Sequence, residues 1–205
     1  MDLLKKVSLF YILANKNKEI YEILSEIDAM DTFQDRQDYL EKNLDRLSSG
    51  SSRIIFKFDN IVIKLARNKK GIAQNKTESN IDFESKFINK TIDHSKKYYW
   101  IMSKYLEDIS VSDFKKIFNF EFKDFCDCFE YALQDISNVK KKKPENFNKI
   151  SKIKFFNDIV NLANKYKLMP GDLIRISSWK KNNDMPILVD LGLSKNVFEN
   201  FYDSK

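Results

Sequence analysis

Four charged residues stand where charge is costly or where a glycine lets the chain turn. Lys64 lies inside the apolar run "VIKLA", residues 62–66. An ammonium among apolar neighbours needs an anionic partner, because burying an unpaired charge is unfavourable. Glu78 follows on the next polar segment and Glu84 lies further along it, so either carboxylate can supply that partner. Asp172 follows Gly171 in "PGDL", and Asp190 precedes Gly192 in "VDLG". Two carboxylates on neighbouring loops can hold a metal and accept a proton around a triphosphate. Upstream, "SSGSS" at residues 48–52 is the one cluster of small residues in the chain. Backbone N–H groups at Gly50, Ser51 and Ser52 can approach a phosphate closely there. The bland readings are a lysine snorkelling from an edge strand and aspartates that cap turns.

The elements that must position these residues follow from periodicity. Apolar residues from Leu3 to Ile27 recur at helical spacing, which predicts a helix over 3–28. A second helix is expected over 34–47, with Tyr39, Leu40, Leu44 and Leu47 inward. The 48–52 cluster reads as a loop. The period then becomes two: "RIIFKFDNIVIKLA" predicts a β-hairpin turning at Asp59-Asn60. Residues 71–89 read as a polar-rich helix and 98–106 as a strand. Helices are expected over 112–119, 121–137 and 151–168, the last with Ile153, Phe156, Ile159, Val160, Ala163 and Tyr166 inward. A loop at "MPGDLIRISS" and a strand at "PILVD" complete the order. Strands cluster before most of the helices, which predicts an α+β fold.

Composition narrows the function classes. Four glycines and three prolines in 205 residues favour helices. The net charge of +6 is mild, and the basic run at 140–143 reads as a solvated linker before Pro144. Cys126 and Cys128 lie one residue apart with no second pair to complete a zinc site. They read as reduced thiols, which places the chain in the cytoplasm. The apolar run at 7–14 is far shorter than the roughly 20 residues that span a bilayer, so no membrane contact is expected. The single His94 leaves little room for histidine chemistry and reads as a loop residue. Trp100 and Trp179 read as core.

The ordered set resembles the protein-kinase-like fold. "VIKLA" is similar to the strand that carries the ATP-phosphate lysine, and the Glu78 helix to the one whose glutamate pairs that lysine. "IMSKYLE", residues 101–107 with Lys104, resembles the strand and hinge that hold an adenine. "PGDL" resembles the catalytic loop, with Asp172 as base. "VDLG", 18 residues later, resembles the magnesium-binding Asp-Phe-Gly motif, with Asp190 as the ligand. The stretches "SSGSSRIIFKFDNIVIKLARNKKGIAQNKTE" and "GDLIRISSW" look most like small kinase-like proteins encoded by bacteriophages.

The resemblance implies an N-terminal helical extension over 1–47, a β-rich lobe over 48–107 and a reduced helical lobe over 108–205. It also implies ATP and magnesium as cofactors, with Gly50, Ser51, Ser52, Lys64 and Lys104 at the nucleotide. The chain departs from the family in three ways. Gly50 is the sole survivor of the glycine-rich loop. Ser177 stands where an asparagine would bind the second metal, and a hydroxyl is a poorer magnesium ligand. Only 15 residues follow Asp190, too few for a peptide-gripping platform. The function expected is nucleotide binding with phosphoryl transfer to a host or viral protein. The rival is an inactive pseudokinase scaffold that binds a host protein. A third reading is nucleic-acid binding through the lysine-rich surface, which requires strongly salt-dependent affinity.

Overall fold

A computed structural model describes residues 18–203. The fold is α+β. An antiparallel sheet with flanking helices makes one part, and a largely helical bundle makes the other. Residues 18–29 are helical (α1), and the expected continuation toward residue 3, with the apolar run at 7–14, lies outside the described residues. Helix α2 spans Phe33–Asn43, its first turn capped by the Thr32 hydroxyl accepting from the Asp35 N–H.

The expected second helix ends early. Leu44 is extended, and β1 (Asp45–Ser49) pairs antiparallel with β2 (Arg53–Phe58). Leu47, assigned to an inner helix face, is exposed on this edge strand. Strand pairing overrides helical spacing here, and the expected loop shrinks to residues 50–52. The hairpin to β3 (Ile61–Ala66) forms as expected, with Asp59 at a positive φ of 52°. The sheet order is β1-β2-β3-β5-β4, where β4 is Thr91–His94 and β5 is Trp100–Lys104. His94 therefore ends a strand, and its ring stacks on Tyr98.

Alternation divides this sheet into two faces. Ile54, Phe56, Ile63, Leu65, Trp100 and Met102 are buried against Ile20, Leu24, Ile27 and Leu40 of α1 and α2. Arg36 fastens these helices to the sheet: its guanidinium donates to the Ile27 carbonyl and lies over the Tyr99 ring. The opposite face carries Arg53, Ile55 and Lys64, since Ile55 pairs across from Lys64.

That second face meets α3 (Lys69–Ser79). The helix stops at Ser79, short of the expected residue 89, and an irregular segment leads to β4. Part of that segment is stitched to β8 (Met185–Leu188): the Leu188 N–H donates to the Phe87 carbonyl and the Asn89 N–H to the Leu188 carbonyl. Strand β6 (Glu107–Asp108) joins β7 (Trp179–Asn182) and β8 in a small antiparallel sheet.

The helical part comprises α4 (Val111–Phe118), α5 (Phe122–Ala132), α6 (Gln134–Ser137), α7 (Phe147–Ile150) and α8 (Lys154–Tyr166). Its core is rich in aromatic rings: Phe114, Phe125, Phe129, Phe155 and Trp179 pack edge-on or stacked. The expected loop at 169–178 begins instead with one helical turn, α9 (Pro170–Leu173), with proline at a starting position where its missing N–H costs nothing. The residues after Asp190 form α10 (Lys195–Phe201), which packs on α3. Among the described residues no helix is long and apolar enough to cross a membrane.

Candidate functional site

Helix α3 reads as weakly amphipathic because its buried stripe is polar. Gly71, Gln74, Asn75 and Glu78 recur at helical spacing; Gly71, Asn75 and Glu78 meet the sheet, and Gln74 meets Tyr202 and Gly192. Gly71 is required by close approach: a Cβ there would lie 2.2 Å from the Ser52 carbonyl oxygen. Asn75 then anchors the helix by donating to the carbonyls of Lys64 and Tyr98 at 3.2 and 3.0 Å. This docking brings Glu78 to the cationic face of the sheet.

Four side chains make one alternating chain of charge. Lys64 Nζ donates to Glu78 Oε1 at 2.5 Å. Arg53 Nη1 donates to Glu78 Oε2 at 2.8 Å, and Arg53 Nη2 donates to Asp190 Oδ1 at 2.5 Å. The Lys64 ammonium also reaches the carbonyl of Val189, one residue before Asp190. Lys64, Glu78 and Arg53 are buried, while the Asp190 side chain is 40% exposed. Two cations and two anions cancel, which is what lets such groups leave water together. Glu84, the alternative partner for Lys64, is instead an exposed partner of Lys90.

Electrostatics separate the two aspartates. Burial raises the Asp190 carboxyl, but the Arg53 and Lys64 charges and the Gly192 N–H together hold it below its ordinary value. Asp172, half-buried in α9, is pushed up to about 7, first by burial and then by the charge of Asp190, against the pull of Arg175 and Arg53. The two carboxyls thus shift in opposite directions within one field. Burial lowers the Arg53 guanidinium, but Asp190 and Glu78 outweigh it and raise the group.

The other expected site residues lie as follows. Gly50 closes the β1–β2 turn, its N–H donating to the Arg53 carbonyl at 2.8 Å. Ser51 is exposed, and Ser52 is buried with its hydroxyl bonded to the Tyr202 hydroxyl at 2.7 Å. Lys104 is exposed at the end of β5, and its carbonyl accepts from Asn89 at 2.8 Å. Ser177 is exposed in the 3-10 turn Ile176–Ser178. The structure thus joins Lys64, Glu78 and Asp190 in one network and sets Asp172 in its field. Lys104 and Ser177 stand outside that network.

Sequence reasoning missed Arg53. Like Lys64, it is a cation set in an apolar strand, "RIIFKF", and so needs an anionic partner. Tyr202, beside α10, was missed too: it accepts from Gln74 at 2.9 Å and lies beneath Lys70.

The magnesium implied by the resemblance finds a poor donor set. Magnesium keeps several waters in its octahedral shell and takes one or two protein carboxylates beside substrate phosphates, so the state of Asp190 decides the fit. Here Asp190 Oδ1 is already bound to a guanidinium, and a cation placed on that carboxylate would sit beside Arg53. Among the described residues no three His, Cys, Asp or Glu side chains converge as a metal site.

No protein-family model and no curated protein matches the chain. Among solved structures it is similar to the streptomycin–ATP ternary complex of APH(2'')-IIa, at 12% identity and a TM-score of 0.36, covering 87% of this chain and 73% of that one. It is similar to the ADP-bound aminoglycoside phosphotransferase APH(2'')-Ib at 14% identity, with the same TM-score and coverage. The gentamicin complex of APH(2'')-IIa matches at 13% identity and a TM-score of 0.36, covering 91% of this chain and 75% of that one.

Proposed function

We propose that the chain is a kinase-like nucleotide-binding protein whose charged sheet face receives the phosphate tail of ATP. The observation that carries this reading is the buried Lys64–Glu78 pair at 2.5 Å, with the same ammonium touching the main chain beside Asp190. Three segments far apart in sequence meet there, in the order that the resemblance requires. Lys64 binds phosphate oxygens and Glu78 holds its ammonium in place.

Phosphoryl transfer is the activity proposed for the site. A hydroxyl oxygen of the acceptor attacks the γ-phosphorus, the bond from γ-phosphorus to the bridging oxygen breaks, and ADP leaves. The hydroxyl proton passes to Asp172, whose raised pKa suits a base near neutrality. A protein hydroxyl is the acceptor class implied by the resemblance. The test is transfer of label from γ-labelled ATP to host lysate or to the chain itself, with Asp172→Asn as control. Titration calorimetry of ATP against wild type and Lys64→Met tests binding separately. ATP binding that ignores Lys64 sinks the nucleotide reading; binding without Asp172-dependent transfer sinks the enzyme.

The second reading is a binding module without chemistry. It is favoured by the Arg53–Asp190 pair, which satisfies the charge of Asp190 before any ligand arrives.

A further inference from the structure

We infer that Arg53 is the built-in counter-cation of this site, doing for Asp190 what a divalent ion would otherwise do, so that a nucleotide polyphosphate is taken without metal. The inference rests on the nucleotide-binding reading above and says how that site balances charge.

The geometry is specific. Arg53 enters from β2, on the same sheet face as Lys64, and its side chain is only 7% exposed. Its two terminal nitrogens reach different carboxylates, Glu78 at 2.8 Å and Asp190 at 2.5 Å. Asn75 adds a further acceptor at 3.3 Å. Such a fork fixes the guanidinium in plane, and arginine stays charged at any working pH. The loop after Asp190 leaves room for it: a Cβ on Gly192 would stand 3.2 Å from Arg53 Nη1. With five N–H donors the guanidinium keeps donors beyond those given to Glu78, Asp190 and Asn75, and a phosphate can take them with no reorganisation of the strand. A divalent ion on Asp190 would have to displace or face that cation, at a separation where like charges repel strongly in a partly dry site.

Two measurements test this on the full chain. In the first, ATP is titrated calorimetrically in EDTA and in excess magnesium. The wild type should bind with affinities within about threefold of each other, whereas Arg53→Gln should lose about tenfold or more in EDTA and regain part of it with magnesium. Arg53→Lys keeps the cation and should keep EDTA binding; it decides the matter if Arg53→Gln does not fold. A wild type that needs magnesium by more than about tenfold overturns the inference. In the second, manganese is titrated without nucleotide and followed by electron paramagnetic resonance. The wild type should leave manganese free. Manganese bound by wild type and lost in Asp190→Asn overturns the inference. If ATP binds under neither condition, the nucleotide reading falls, and the manganese titration still judges Arg53.

Discussion

The hydroxyls of Ser52 and Tyr202, 150 residues apart in the chain, lie 2.7 Å from each other and share a hydrogen bond. Gln74 of α3 donates to the same tyrosine oxygen. One phenol therefore ties α10 to the β1–β2 turn and to the helix that carries Glu78. Tyr202→Phe keeps the ring under Lys70 but removes both bonds. It should cost about 1–2 kcal/mol by chemical denaturation, since each such bond contributes about 1 kcal/mol. Amide exchange should quicken first in α10. Unchanged exchange there would show that the helix is held by packing alone.

The charge network should respond as one unit. Glu78→Gln leaves Lys64 and Arg53 facing each other with Asp190 as the remaining carboxylate of the chain. Breaking a buried pair from one side typically costs roughly 3–5 kcal/mol. Lys64→Met should cost less, because Glu78 keeps Arg53. The double variant Lys64→Met/Glu78→Gln should fall short of the sum. Strict additivity in a double-mutant cycle would contradict the shared network.

Asp172 and Asp190 should give opposite pH dependences in separate windows. Asp172 rises from its ordinary 3.8 to about 7 on folding. Between those values the folded state holds the extra proton, so stability falls as pH rises through the window and levels off above it. Asp190 is lowered on folding, so its contribution is complete above 3.8 and is lost as pH drops through its folded value. Asp172→Asn should flatten the slope between about pH 4 and 7 in urea midpoints. A slope that survives the substitution belongs to other groups. If Asp172 is the base, the transfer rate should also rise with pH through neutrality.

Three glycines offer a steric contrast. Gly71→Ala puts a Cβ 2.2 Å from the Ser52 carbonyl, and Gly192→Ala puts one 2.8 Å from Gln74 Cβ. Both contacts must be relieved by moving α3, at a cost of about 1–3 kcal/mol each. Gly171→Ala meets nothing within 4 Å and should fall within about 0.5 kcal/mol of neutral. Thermal melts of the three variants rank them directly.

Legibility in the sequence followed how strongly each residue's neighbours constrained it. The β2–β3 hairpin was readable because apolar alternation runs through both strands around an Asp-Asn turn. Lys64 was readable because a cation in an apolar strand needs a partner, though that left Glu78 and Glu84 both open; the end of α3 at Ser79 separates them. Strand β4 was invisible: "TIDH" is four residues long and half of it faces solvent. The same holds for β7, whose "WKKN" gains its strand character from pairing with β8. Strand β1 was mistaken for helix because Leu44 and Leu47 happen to keep helical spacing. Helix α10 did leave a signal, with Ser194 as its cap and Val197 and Phe201 spaced on one side. Arg53 needed only the reasoning already applied to Lys64. Its two partners, however, come from α3 and from the turn after β8, a meeting that no local pattern encodes.

The stitching of residues 87–89 to Leu188 has a mechanical meaning. The segment that leaves α3 is bonded to the strand that delivers Asp190, and Gly71 seats the start of α3 directly on the sheet. The helix is thus fastened at its start to the strands bearing the cations, and the chain that leaves it is tethered to the strand that leads into Asp190. Irregular chain separates Ser79 from that strap, so an outward swing of α3 is opposed first at Gly71, packed against the Ser52 carbonyl. The pairing of Lys64 with Glu78 is in this sense braced from the glycine end of α3, where the helix meets the strands that carry the cations.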